Sequence, residues 1–306
     1  MHLFRRPLLA VAESTVVEAL VRRGGLSNGL VRRFVAGEDL ETALGAATQI
    51  ANQGMTTTLD QLGENVTTAS EARAAVSSYT RILGRMAGGG LEPNISVKLT
   101  MLGLDLGDDL AVSNMIPILD AARSVRGFVR IDMEGSGYIE RTMRIFATLH
   151  DRFDESVGIV VQSYLHRAEA DVRAMIERGA RVRLVKGAYA EPATVAFQSR
   201  REIDDNYVRL MEILLDSGRY PAIATHDPAL IRSARGYVDR MKIPRDRFEF
   251  QMLYGVRRDA QADLTAAGYR MRVYVPYGSQ WYPYFTRRIA ERPANAIFVV
   301  RQLASG

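Results

Sequence analysis

Eight times between residues 55 and 292 a short apolar or β-branched run is followed by a segment of helical period. The runs are MTTTLDQL (55–62), NISVKLT (94–100), FVRIDME (128–134), VGIVVQSY (157–164), RVRLVKG (181–187), PAIATHD (221–227), FEFQML (248–253) and MRVYVP (271–276). The helical segments that follow them cover 70–87, 109–125, 138–152, 167–178, 193–217, 228–241, 257–267 and 281–292. Regular alternation of strand and helix places the chain in the α/β class, and eight repeats predict a parallel (β/α)8 barrel of the TIM type.

Residues 1–54 precede the first strand and read as two or three helices, broken by RRGGLSNG at 22–29, that pack on the barrel. No Pro- or Ser-rich linker separates them from 55–306, so one domain is expected. The basic start MHLFRRPLLAVAE runs into an amphipathic pattern rather than a cleavage site, and it reads as part of the fold. The longest apolar runs, such as VGIVV (157–161), are strand-sized, well below the roughly 20 residues of a membrane span.

Charge and cysteine usage narrow the chemistry. With no cysteine, disulfides and thiolate catalysis are excluded, and a cytoplasmic location is expected. The formal net charge is +5, but the basic residues fall in scattered pairs without a nucleic-acid motif. A solvated basic surface is the plain reading, and attachment to anionic lipid is the alternative. Of 40 basic residues only Lys98, Lys186 and Lys242 are lysines, and two of these sit in strand-like runs.

Barrel enzymes carry their active sites at the C-terminal ends of the strands. The polar residues there are Lys98, Asp132 with Glu134, Gln162, Arg183 with Lys186, Thr225 with His226, and Gln251. In RLVKGAY (183–189) the alternation of a strand sends Arg183 to one face and Lys186 to the other. A cation and a glycine at a barrel rim suit a phosphate or a flavin. Asp132 reads either as a structural ion-pair partner of Lys98 or as part of a substrate-orienting pair. Asp227 and Pro228 read as the cap and first residue of a helix, and AGGG (87–90) as a helix stop. No HExxH or histidine pair offers a metal site, and no P-loop, GxSxG or GxGxxG occurs.

YVPYGSQWYPYFTRRIAE (274–291) gathers four tyrosines, the only tryptophan and two adjacent arginines. On a helix, Tyr284, Arg287, Arg288 and Glu291 share one face. Two guanidiniums side by side call for an anion, either Glu291 alone or the carboxylate of a small ligand walled in by the aromatics. The residues alone therefore describe a barrel enzyme for a small carboxylate. A Schiff-base lyase using Lys98 or Lys186, and a basic nucleic-acid or lipid binder, are its rivals.

From the first strand onward the chain resembles the proline dehydrogenases in their short monofunctional bacterial form. The resemblance rests on SVKLT (96–100), RIDMEG (130–135), VVQSYL (160–165), RLVKGAY (183–189), IATHD (223–227), EFQMLYG (249–255), VYVPYG and YPYFTRR, in that order. It implies a distorted (β/α)8 barrel, non-covalent FAD, and oxidation of L-proline to Δ1-pyrroline-5-carboxylate with electrons passed to membrane quinone. It also implies peripheral contact with the inner face of the cell membrane. Carried over by residue, it makes Lys98, Arg287 and Arg288 the clamp on the proline carboxylate, with Tyr274, Tyr284 and Leu253 packed on the ring. The tyrosine at 274 implies proline rather than 4-hydroxyproline as substrate. Asp132 becomes the acidic residue held with Lys98, and Arg183 the arginine near flavin N5. Met133, Gln162, Lys186, Gly187, Ala188, Thr225 and His226 become FAD contacts. Ala190 stands where the fused members carry tryptophan, and neither their aldehyde dehydrogenase module nor their DNA-binding segment is expected here.

Overall fold

In the computed structural model, which describes residues 29–290 and the side chains of 31–286, the first strand pairs with the last and closes a parallel barrel in strict chain order. The strands are β1 (Thr56–Gln61), β2 (Asn94–Val97), β3 (Phe128–Ile131), β4 (Val157–Gln162), β5 (Arg181–Val185), β6 (Ala222–Ala224), β7 (Glu249–Leu253) and β8 (Met271–Tyr277). Closure is carried by the β1–β8 ladder, in which Thr58 stands beside Tyr274 and Asp60 beside Pro276. A closed barrel leaves no sheet edge to pair with another chain.

Among the described residues, two helices, α1 (Gly29–Phe34) and α2 (Leu40–Ala51), precede β1. Helices α3 (Ala69–Gly88), α4 (Asp108–Ser124), α5 (Ile139–Phe153), α6 (Ala168–Glu177), α7 (Arg200–Ser217), α8 (Pro228–Met241), α9 (Arg258–Ala266) and α10 (Trp281–Ala290) follow the eight strands in turn. α5 shows why these segments are helical: Ile139, Thr142, Ile145, Phe146, Leu149 and Phe153 recur every three or four residues and are all buried. Thr68 with Glu71 and Ser199 with Glu202 close capping boxes on α3 and α7, and Asp227 caps α8 as the sequence predicts. Such caps contribute about 1 kcal/mol each.

One helix starts later than its pattern suggests. The segment 193–217 becomes α7 only at Arg200. Before it, Ala196 forms a bridge with Leu165, and the Phe197 amide donates to the Tyr164 carbonyl at 2.8 Å. The capping box at Ser199 then fixes the first turn, so local capping overrides the apolar period of TVAF.

Alternation along the strands sorts the core into two regions. Leu59, Ile95, Val129, Ile131, Ile159, Leu184, Phe250, Met252 and Val273 are buried among the apolar core. Ser96, Arg130, Arg183, Glu249, Gln251 and Arg272 are also buried, and Arg183 of β5 bonds to both Ser96 of β2 and Gln251 of β7, contacts that can only cross the barrel interior. This barrel is therefore filled by a hydrogen-bonded polar lattice where most are filled by branched aliphatics. Gly158 makes one piece of it possible: a Cβ there would lie 2.6 Å from the Arg130 guanidinium, the Arg181 carbonyl and the Phe128 ring alike.

A second apolar cluster lies beside β1, where Val31, Phe34 and Val35 meet Leu62, Trp281, Tyr282, Tyr284 and Phe285. Trp281 donates its indole N–H to Glu38 at 2.9 Å. Much of the aromatic crowd at the C-terminal end is thus packing between α1 and α10.

Candidate active site

Strand ends bring the predicted residues to one mouth of the barrel. Lys98 and Asp132 each stand one residue past the last rung of β2 and β3, Arg183 lies inside β5, Leu253 ends β7, and Tyr274 lies inside β8. Asp132 is the hub: one carboxylate oxygen accepts from Arg183 Nη1 at 2.7 Å and the other from the Tyr274 hydroxyl at 2.9 Å. The Arg183 guanidinium sits 5.3 Å from the centre of the Tyr274 ring and also reaches Ser96 at 3.1 Å and Gln251 at 2.6 Å.

Lys98 makes a different ion pair from the one the sequence suggests. Its ammonium lies 3.4 Å from Asp60 of β1, while Asp132 is taken by Arg183. Register explains the choice: Asp60 stands beside Ser96, two residues before Lys98 on the same strand face, and the long Arg183 side chain reaches Asp132 across the barrel. Burial works against the lysine charge, yet Asp60 foremost and then Asp132, Glu64 and Glu134 outweigh it and raise its pKa. Asp60 is buried as well, and burial raises its pKa from the ordinary carboxylate value despite Lys98. Burial, then Asp132 and Asp60, push the Tyr274 phenol upward too. Tyr274 therefore serves as a neutral hydrogen-bond donor at ordinary pH.

Glu134 clamps this corner from behind. It is buried, and its two oxygens accept from the Thr100 amide at 3.2 Å and the Thr100 hydroxyl at 2.6 Å, which fixes the turn immediately after Lys98.

A second group of residues lines the rim near β4, β5 and β6. Lys186 leaves the barrel past β5 and pairs with Asp204 of α7 and with Asp227, the latter at 3.0 Å. Asp227 also accepts from Arg200 at 2.8 Å and from the Ala229 amide at 2.9 Å. Burial raises its pKa, but Lys186, the Ala229 amide and Arg200 together bring it down to about 2. Thr225 accepts from the Asp227 amide at 3.1 Å. His226 accepts the Leu253 amide on Nε2 at 2.8 Å, which makes the ring neutral with its proton on Nδ1. Gln162 donates to the Met133 carbonyl at 3.3 Å, while its own side-chain oxygen is buried with no partner among the described residues.

Gly187 and Ala188 lie in the loop past β5. Gly187 has φ +123°, and a Cβ there would fall 2.3 Å from the Tyr164 ring, so the glycine makes room for Tyr164 rather than only for a ligand. Tyr284 is buried on α10 within the second apolar cluster. The side chains of Arg287 and Arg288 lie outside the described residues, although both positions belong to α10. So does Glu291.

Two parts of this site escaped the sequence reading. Asp60 sits in TTTLDQ, whose alternation with Thr58 would have placed it on the inward face. Glu249 and Arg272 look like ordinary strand charges until closure brings them together at 2.9 Å.

A closed parallel barrel with cations and carboxylates gathered past its strand ends defines an enzyme that holds a small polar ligand. The sequence profile described as proline dehydrogenase matches residues 43–301. The proline dehydrogenase of Deinococcus radiodurans is 41% identical over 100% of this chain and 99% of its own length. Proline dehydrogenase 1 of Bacillus subtilis strain 168 is 40% identical over 98% of each. Among solved structures, proline utilization A of Bdellovibrio bacteriovorus superposes with a TM-score of 0.80 at 28% identity, covering 86% of this chain and 32% of that one. The chain belongs to the proline dehydrogenase family. Its activity is proline dehydrogenation, the first step of proline catabolism.

Proposed function

We propose that the chain oxidises L-proline to Δ1-pyrroline-5-carboxylate with non-covalently bound FAD and passes the electrons to a membrane quinone. The observation that carries this reading is the Asp132 hub, which fixes a guanidinium and a phenol around one mouth of the barrel beside a buried, protonated lysine. Lys98, with Arg287 and Arg288, holds the carboxylate of proline in this reading, since three cations on one carboxylate would leave that end of the ligand no other orientation. Tyr274, Tyr284 and Leu253 enclose the apolar ring, and the Tyr274 ring takes the space that a 4-hydroxyl would need. Arg183, held by Asp132, would lie against the isoalloxazine.

The residues at the rim fit the cofactor. Gln162 offers a buried, unpartnered acceptor of the kind a flavin N–H satisfies, and Lys186 with Arg200 supplies cations for a pyrophosphate. Met133, Gly187, Ala188, Thr225 and His226 complete the cradle. FAD, when bound, would supply at N5 the two-electron acceptor for a hydride from C5 of proline. The chain's own task is to hold the ring and its carboxylate in register and to keep water away.

Delivery to a quinone suits peripheral contact with the inner face of the cell membrane, and the net charge of +5 supports attachment to anionic lipid. Among the described residues, no helix is long and apolar enough to cross a membrane. The barrel domain proposed for 55–306 and the N-terminal segment 1–54 act as one unit in this reading. A Schiff-base role for Lys98 is disfavoured, since a nucleophilic lysine needs a lowered pKa and this one is raised.

Replacing Arg288 with methionine removes one carboxylate contact and no cofactor contact. The KM for proline rises about 10- to 100-fold while FAD stays bound, the loss expected of one charge-assisted hydrogen bond. Steady-state kinetics with a flavin absorbance check measures both, and unchanged proline kinetics would refute the clamp.

A further inference from the structure

Beneath the site a hydrogen-bonded chain crosses the barrel and ends on Arg183. Gln251 of β7 accepts from Arg183 Nε at 2.6 Å and donates through its own nitrogen to Glu249 at 2.5 Å. Glu249 takes two further bonds from Arg272 Nε, at 2.9 and 3.1 Å. Arg272 donates onward to the Thr57 carbonyl and to Glu92, each at 2.8 Å. Arg183, Gln251, Glu249 and Arg272 are all at least 96% buried, so solvent cannot stand in for any of these partners.

A primary amide has an acceptor end and a donor end of nearly the same shape, so packing alone does not decide which end faces Arg183. Chemistry decides it here. An ionised carboxylate can only accept, and Arg272 outweighs burial to hold Glu249 ionised, with its pKa at about 2. The nitrogen of Gln251 must therefore face Glu249, which leaves its oxygen for Arg183 Nε. Asp132 and Ser96 meanwhile take Nη1, so the guanidinium is held at Nε and Nη1 and its plane is set.

We propose that Gln251 is a positioning residue for the reaction: an amide whose polarity is set by Glu249 and which fixes the plane of the Arg183 guanidinium that faces the cofactor. The proposal rests on the reading that Arg183 lies against the flavin. It separates the two inner residues by task, Gln251 holding the cation and Glu249 holding Gln251.

The test compares Gln251→Met, Gln251→Glu and Arg183→Met in the FAD-loaded enzyme, reading kcat and KM for proline, the pH profile of kcat, and the midpoint potential of the bound flavin. Methionine at 251 keeps the volume but offers only a weak sulfur acceptor and no donor. Its KM stays within about threefold of wild type while kcat falls about tenfold, and the midpoint moves to more negative values because a loosened cation stabilises reduced flavin less.

Glutamate at 251 is the conservative rescue. Its acid form makes both hydrogen bonds, the carbonyl accepting from Arg183 and the hydroxyl donating to Glu249. Three charges face this carboxyl: Arg183, already neutralised by Asp132, Arg272, already neutralised by Glu249, and Glu249 itself. In a site this buried the contact between two carboxylates decides, so the new carboxyl titrates above the ordinary range. Activity is therefore restored at low pH and lost as pH rises through that new step. A mere packing defect produces no such step.

The proposal falls if Gln251→Met leaves kcat and midpoint unchanged while Arg183→Met alters both, and in that case the placing of Arg183 survives. It also falls if Gln251→Glu follows the wild-type pH profile throughout. An unaltered midpoint in Arg183→Met overturns the proposal and the flavin reading together. If Gln251→Met does not fold, the pH step in Gln251→Glu decides alone.

Discussion

Arg183→Met lowers kcat for proline oxidation by about 100- to 1000-fold, the range seen when a preorganised charge is removed from a reacting centre. The structure explains why the loss should be large. Arg183 is the common partner of Asp132, Ser96 and Gln251, so its removal strips the cation from the site and also releases the carboxylate that holds Tyr274. Released from Arg183, Asp132 turns toward Lys98, whose charge it already supports, and competes with the carboxylate of proline for that ammonium. The KM therefore rises as well, and kcat/KM falls more than kcat. Full activity in this variant would remove Arg183 from the reaction.

Glu249→Gln destabilises the fold by about 3–5 kcal/mol near neutral pH, the cost of leaving one member of a buried ion pair uncompensated. Both Glu249 and Arg272 are 2% exposed, and Glu92, the remaining carboxylate on Arg272, is far more solvated. The acid limb carries the same signature. Burial favours the protonated form of Glu249, but Arg272 prevails and holds the folded-state pKa at about 2, below the ordinary value of 4.5. A depressed carboxyl pKa stabilises the fold above the unfolded value, and that stability is lost as pH falls toward the folded one. The gap in unfolding free energy between wild type and Glu249→Gln should accordingly narrow between about pH 4.5 and 2. Urea unfolding across that range measures it, and a constant gap would show that the charge of Glu249 is not the cause.

Which features were readable in the sequence follows from the physics of each. The eight strands were readable because parallel strands buried on both faces are short apolar runs, and β4 and β7 begin and end within two residues of VGIVVQSY and FEFQML. The mouth of the barrel was readable because polar residues at the ends of such runs have few structural uses. Lys98, Asp132, Arg183 and Tyr274 do converge there. Pairing was not readable. Lys98 adjoins both Asp60 and Asp132, and only the three-dimensional reach of Arg183 assigns each carboxylate to its cation. Gln251 was visible as a strand-end residue, but its purpose depends on Glu249 and Arg272, which closure of the barrel places together. The start of α7 was hidden for a local reason, since TVAF carries an apolar period yet spends its backbone bonds on Tyr164 and His166.

In the proposed reaction this barrel holds a flavin whose reacting ring meets proline at the Asp132 hub. One measurement tests it most directly: the visible absorption spectrum of the purified protein, loaded with FAD where needed, before and after L-proline is added without oxygen. The expected result is a yellow protein whose flavin band bleaches on addition of proline. A protein that stays colourless after loading with FAD, or a bound flavin that proline leaves oxidised, would contradict it.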